Sequence, residues 1–300
     1  MSRKPITYDT MLGHVLPLTG YKGVRVGIEL EYEACHMHNV MDATPYWTYD
    51  HDHSLREGGM EFISNPLRMT HLPAALDQAE SALTQSGGIV TKRCGLHVHV
   101  NVSDLSLRDI WKFATYYTLL EPFIFKKFAD GREDSHFCVP TWANSTLQSS
   151  FYKDAVGLYR GIEIPSGDPI LQLGGQSNNM KKYIPLAILD NPKYSAMNFT
   201  CMPKLGTIEF RQHRGTTDMF EVEIWARFLV KLREEALKYD DAEAVVEQYE
   251  KDTFFTLCEN VGLEQSPHVN PEHLSDAVDA AIMMVGHKPT DHTTLNWEMK

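Results

Sequence analysis

Along the first hundred residues, apolar and polar positions alternate in short runs, the period of strands that bury one face. Over residues 24–32, Ile28, Leu30 and Tyr32 alternate with Glu29, Glu31 and Glu33. Residues 60–64 form a second run, ended by Asn65-Pro66. Residues 89–102 form a third and stronger one, with a bulge expected at Cys94-Gly95. Residues 193–200 and 206–213 read as a hairpin. Between these runs the period lengthens. Leu72, Leu76, Ala79 and Leu83 make one stripe of a helix over 70–86, with Thr70 expected as its N-cap and Gly87-Gly88 as its stop. A helix over 106–128 turns Ile110, Phe113, Ala114 and Tyr117 inward, and an amphipathic helix over 218–239 takes Trp225 into the core. Residues 39–59 read as a loop or irregular hairpin, and 131–192 show little periodicity. The pattern predicts an α+β fold, with a largely antiparallel sheet carrying helices on one face. It divides the chain into an N-terminal extension (1–21), a catalytic domain (22–239) with 131–192 as an insertion or lid, and a helical C-terminal extension (240–300).

The polar faces of these strands carry the chemistry. Alternate residues of a strand point the same way. Glu29, Glu31 and Glu33 therefore share a face. So do His97, His99 and Asn101, and so do Glu209, Arg211 and His213. Each opposite face is apolar and needs a core. Crowded carboxylates repel one another and lose hydration, and divalent cations relieve both costs. Taken singly, each motif has a plainer explanation. An E-x-E-x-E run fits the solvated face of an edge strand, His97 and His99 fit a surface pair or the zinc ligands of a hydrolase, and Glu209 with Arg211 fits an ion pair of small energetic value. Three such faces in one chain favour a shared site. If the strands are neighbours, Glu29, Glu31, His97 and Glu209 ring a metal pair, with Arg211 as a fixed cation beside it.

Composition narrows the partners. The formal net charge of −12 disfavours direct binding of nucleic acid or of an anionic membrane. No apolar run approaches the roughly 20 residues that span a bilayer, and residues 1–20 lack the charged-then-apolar order of a signal peptide. The five cysteines are scattered, with no C-x-x-C pair, which suits a reducing cytoplasm.

Six segments, in order, resemble the amidoligase family, a branch of the carboxylate-amine ligases related to glutamine synthetase and glutamate-cysteine ligase. They are Gly27-Ile28-Glu29-Leu30-Glu31, Asp52-His53-Ser54-Leu55, Glu61-Phe62-Ile63-Ser64 before Pro66, Gly95-Leu96-His97-Val98-His99-Val100, Lys193-Tyr194-Ser195-Ala196-Met197-Asn198, and the run from Gly206 through Glu209, Arg211 and Arg214 to Thr216. The resemblance covers roughly residues 22–232. It departs at His53, where a small residue is usual, at Asn65, and in the insertion after 131.

The resemblance implies a glutamine synthetase-like catalytic sheet and an ATP-dependent ligase that joins a small-molecule or peptide carboxylate to an amine through an acyl-phosphate, using Mg2+ or Mn2+. It implies Glu29, Glu31, Glu61, His97 and Glu209 as metal ligands, and His99, Arg211 and Arg214 as contacts to ATP. Arg211 and Glu61 would act in catalysis, while Asp52, Ser54, Tyr194 and Asn198 would shape the substrate pocket. An oligomer is compatible with all of this. Two rivals stand beside it: a metal-dependent hydrolase built on His97 and His99, and a nucleotide-binding relative without activity.

Overall fold

A computed structural model describes residues 23–36, 44–129, 131–159, 193–265 and 268–286. The expected N-terminal extension, residues 160–192 of the expected lid and the last fourteen positions of the tail lie outside the described residues. Within them, β1 (Val26–Tyr32), β2 (Trp47–His51), β3 (Met60–Ser64), β4 (Gly95–Asn101), β5 (Met197–Asn198) and β6 (Thr207–Arg214) form one open sheet. Its order is β2-β3-β1-β4-β6-β5, and every pairing is antiparallel. The fold is α+β, as the alternation predicts.

The apolar alternates of every strand point to one side. Ile28, Leu30 and Tyr32 from β1, Phe62 from β3, Val98 and Val100 from β4, and Ile208 and Phe210 from β6 are all buried in a single core. Helices cover it. α1 (Leu72–Ser86) brings Leu72, Leu76, Ala79 and Leu83, and ends at Gly87, whose φ of 67° is the left-handed turn that glycine takes without strain. α2 (Leu107–Ile124) begins at Ser106, which exchanges hydrogen bonds with Asp109 in a capping box. Its Phe113 and Tyr117 both pack on Phe210. Two further helices, α3 (Ser145–Tyr159) and the short α4 (Met202–Leu205), precede α5 (Met219–Ala236), which buries Trp225 completely. After them α6 (Ala242–Asp252), α7 (Phe255–Val261) and α8 (Pro271–Met284) return to α2: Tyr116 Oη donates to the Leu257 carbonyl at 2.9 Å, and Phe123 meets Phe254 edge-on.

Several expectations need correction. Thr70 does not cap α1; His71 stands at the N-cap without a side-chain bond, and Pro73 in the first turn starts the helix in place of a cap. Residues 89–94 are not strand, so β4 begins only at Gly95. For 39–59 the hairpin alternative holds: β2 pairs with β3 and plugs Trp47 into the core, its indole donating to the Ala75 carbonyl at 2.6 Å. Part of 131–192 is ordered helix: Leu147 and Phe151 of α3 are core residues, Phe151 lying between Trp111 and Phe199.

The bulge is also displaced. Leu96 pairs with His213 but Val98 pairs with Phe210, so β6 carries one extra residue opposite Val98–Leu96. That residue breaks the alternation. Gln212 keeps the inward phase of Phe210, donating to Tyr117 Oη at 2.7 Å, but His213 follows it inward and packs against Phe128 and Trp225. His213 therefore does not share a face with Glu209 and Arg211. Burial lowers its pKa to about 4, so it sits neutral among the aromatics.

Candidate active site

Register aligns the polar alternates of all six strands into rows. Asn198, Glu209 and His99 are successive cross-strand partners, His97 faces Glu29, and Glu31 faces Glu61, which faces Asp50. The expected convergence of the acidic strand, the H-x-H strand and the late Glu-x-Arg strand is thus present. His97 is its hub. Its Nδ1 lies 3.3 Å from Glu29 Oε2 and 3.6 Å from Glu209 Oε1, and its Nε2 lies 3.6 Å from Glu31 Oε1. His99 Nε2 contacts Glu29 Oε1 at 2.9 Å, while its Nδ1 meets Thr207 Oγ1 at 3.0 Å. The Gly95 N–H donates to Glu31 Oε2 at 2.6 Å.

Arg211 closes one side. Its guanidinium pairs with Glu209 Oε1, its Nε donates to the Phe137 carbonyl at 3.4 Å, and it stands 5.9 Å from the Tyr194 ring. Tyr194 and Phe137 meet edge-on and are both exposed at the rim. Asn198 is buried and donates to Glu209 Oε2 at 2.6 Å, so it orients that carboxylate. Glu61 and Asp52 complete the opposite side. Asp52 also accepts from the Ser54 N–H at 2.7 Å, a bond that closes the local turn. Ser54 is exposed, and its carbonyl accepts from Arg93. Arg214 pairs with Glu221 at 2.7 Å. Glu33 is buried beyond the cluster, accepting from the Arg56 N–H with Arg93 close by.

The electrostatics reflect crowding. Burial opposes ionisation of Glu29, but hydrogen bonds from His97 and His99 outweigh it and hold the carboxyl well below the usual range. Burial likewise opposes a charged Glu209, and the nearby His97 and Arg211 overcome it. Glu61 has no such partner. Burial, then the charges of Glu29, Glu31 and Asp52, push it up to about 8. His99 goes the other way: burial would lower it, but hydrogen bonds with Cys201 and Glu29 raise it to about 10, making it a second cation beside Arg211.

The residues fit hard divalent cations. Glu29, Glu61 and His97 each offer a ligand atom within 4.8 Å of the others, as do Glu31, Asp52 and Glu61. Glu61 belongs to both sets. Gly95 leaves room between them: a Cβ there would fall 2.7 Å from His97 Nε2 and 3.3 Å from Glu31 Oε2. A third set, His99, Cys201 and Glu209, contains a cysteine that no sequence motif flagged. Cys201 lies in the turn between β5 and β6, and only the closure of that turn brings it near His99.

Comparison with known families decides the kinship. The model of the family described as putative amidoligase enzyme matches residues 31–233. The chain belongs to this amidoligase family. The match starts within β1, one strand pleat after Glu29, and runs through the β4 and β6 rows into α5. No curated protein matches the chain in sequence. Amidoligases are ligases, so the family assigns this sheet a bond-forming chemistry in general. Among the described residues, no helix is long and apolar enough to cross a membrane.

Proposed function

We propose that this amidoligase is an ATP-dependent carbon–nitrogen ligase, acting through an acyl-phosphate and requiring Mg2+ or Mn2+. The observation that carries the reading is the convergence of Glu29, His97, Glu209 and Arg211 from three neighbouring strands on one face. A carboxylate does not react with an amine unaided, because oxide is a poor leaving group. Transfer of the γ-phosphoryl group of ATP to the carboxylate converts that oxygen into a good one.

The residues divide the work. Glu29, His97 and Glu209 on one side, and Glu31, Glu61 and Asp52 on the other, would hold divalent cations, which neutralise phosphate and carboxylate charge when bound. Arg211 is pre-positioned by Glu209 and by the Phe137 carbonyl, so it meets charge developing on the moving phosphoryl group without reorganising. The cationic His99 supplies a second contact for phosphate. Asn198 keeps Glu209 in place. Tyr194, Asp52 and Ser54 border the space where the acid and amine would sit, and Arg214 reaches nucleotide only by leaving Glu221. Attack by the amine on the acyl-phosphate then releases phosphate.

The hydrolase rival requires His97 and His99 on one zinc ion. Here His97 groups with Glu29 and Glu61, whereas His99 groups with Cys201 and Glu209. The test is ATP turnover with magnesium over a panel of amino acids and amines. Turnover that depends on both an acid and an amine, and that disappears in Glu29→Ala, supports the reading. Amide hydrolysis without ATP, or full activity in Glu29→Ala, discards it.

A further inference from the structure

The third ligand set differs from the other two in kind. We propose that His99, Cys201 and Glu209 form a zinc-class site that overlaps the magnesium face and blocks it when filled. Each residue offers one ligand atom, and the three atoms lie within 4.8 Å of one another. The set combines an imidazole, a thiol and one carboxylate oxygen, and an ion binds it by displacing one proton from His99 and the thiol proton of Cys201. That mixture selects borderline and soft ions such as zinc over magnesium, which prefers oxygen alone.

One distance fits the same ion. Around a tetrahedral zinc, a thiolate at about 2.3 Å and a carboxylate oxygen at about 2.0 Å stand roughly 3.5 Å apart. Cys201 Sγ lies 3.5 Å from Glu209 Oε2. The supporting partners are also in place. Asn198 Nδ2 fixes Glu209 Oε2 at 2.6 Å, and Thr207 Oγ1 engages His99 Nδ1 at 3.0 Å, the kind of outer contact that orients ligating side chains.

The overlap creates the competition. Glu209 presents Oε1 to His97 and Arg211 but Oε2 to Cys201 and Asn198. His99 is shared in the same manner, since its Nε2 contacts Glu29 Oε1. An ion seated on His99, Cys201 and Glu209 Oε2 would draw His99 from Glu29 and occupy a carboxylate that the His97 side also uses. Zinc therefore acts as an antagonist of magnesium at this sheet. The consequence for turnover rests on the ligase reading above, but the site itself does not.

The first measurement is spectroscopic and needs no activity. Cobalt(II) titrated into the intact protein should produce a thiolate-to-cobalt charge-transfer band that zinc erases. The band should be absent in Cys201→Ser. The second guards against a variant that fails to fold. In the unaltered protein, zinc should slow alkylation of Cys201 by iodoacetamide, read by peptide mass spectrometry against the buried Cys94, Cys138 and Cys258, and equimolar magnesium should not. A band that persists in a folded Cys201→Ser, a cobalt complex without a thiolate band, or equal protection by magnesium each overturns the site. The third measurement reads the competition: each protein's magnesium-supported turnover is followed against added zinc. The half-inhibitory zinc concentration should rise by at least about tenfold in Cys201→Ser. An unchanged value with the cobalt band intact overturns the antagonism alone, and absence of any turnover overturns the ligase reading while leaving the cobalt result standing.

Discussion

Gly95 and His97 stand one strand pleat apart, and the missing side chain of the first is what lets the imidazole of the second sit between two carboxylates. A Cβ at 95 would come within 2.7 Å of His97 Nε2. Gly95→Ala is expected to displace His97 and weaken magnesium binding by about 10- to 100-fold. Far-ultraviolet circular dichroism should be unchanged, because φ at this strand position is ordinary for alanine. Isothermal titration with magnesium checks the first part, and wild-type affinity in the variant would contradict it.

Arg211 is held on two sides before any substrate arrives. Arg211→Ala should lower ATP turnover by about 10³-fold, the lower range for a cation that meets a transferring phosphoryl group. Arg211→Lys should recover part of that loss but not all, since a lysine cannot both pair with Glu209 and donate from an Nε position to the Phe137 carbonyl. Steady-state kinetics of the two variants side by side provide the measurement.

If the sheet holds magnesium as proposed, Glu61 should report on its binding through a proton. Burial and the charges of Glu29, Glu31 and Asp52 raise its pKa to about 8, and it must lose its proton to act as a ligand. Magnesium affinity should therefore climb as pH rises toward 8 and level off above it. Titrations at pH 7 in buffers of different ionisation enthalpy should show a proton released per binding event, and Glu61→Gln should abolish that release.

A second raised carboxyl lies in the core. Burial pushes Glu121 up to about 8 despite hydrogen bonds from the Thr141 N–H and hydroxyl and from Tyr117. A carboxyl whose folded pKa exceeds its unfolded value binds more protons when folded. Its contribution to stability is complete below the unfolded pKa and is lost as pH rises through the folded one. The melting temperature should therefore fall more steeply between pH 5 and 8 in the wild type than in Glu121→Gln, which keeps an oxygen for the Thr141 N–H but cannot ionise. Parallel melting curves across that range check it.

These residues differ in how openly the chain declares them. Period alone puts Glu29 with Glu31, His97 with His99 and Glu209 with Arg211 on the polar face of each strand, because the apolar residues between them demand a core on the other side. The neighbour relations of the strands came from the resemblance, not from the pattern. The bulge in β6 was invisible, since an extra residue is defined only against a partner strand, and it carried His213 to the wrong side of the expected sheet. β2 was hidden because Trp47 and Tyr49 sit among turn formers and only five residues pair. Cys201 had no motif at all. Its place depends on how the β5–β6 turn closes, which local preference does not encode.

Gln212 has a further reach. Inward on the same face as Phe210, it ties the strand bearing Arg211 to Tyr117, and through Tyr117 to Glu121 and the Thr141 backbone. That same stretch of chain carries Phe137, whose carbonyl holds the guanidinium. Arg211 is thus braced from behind as well as beside, and Gln212→Ala should loosen it, raising the activation barrier more than it weakens nucleotide binding.

The helices that follow residue 240 give the molecule an indivisible body. Tyr116, Thr118 and Phe123 of α2 rest on Leu257, Met284 and Phe254, while their neighbours in the same helix press Phe113 and Tyr117 against the strand of Glu209. The stretch by which kinship is recognised ends at residue 233. Cutting the chain there would strip one side of α2 bare, turning a buried aromatic seam into a sticky surface, so a chain ending at residue 233 is expected to aggregate.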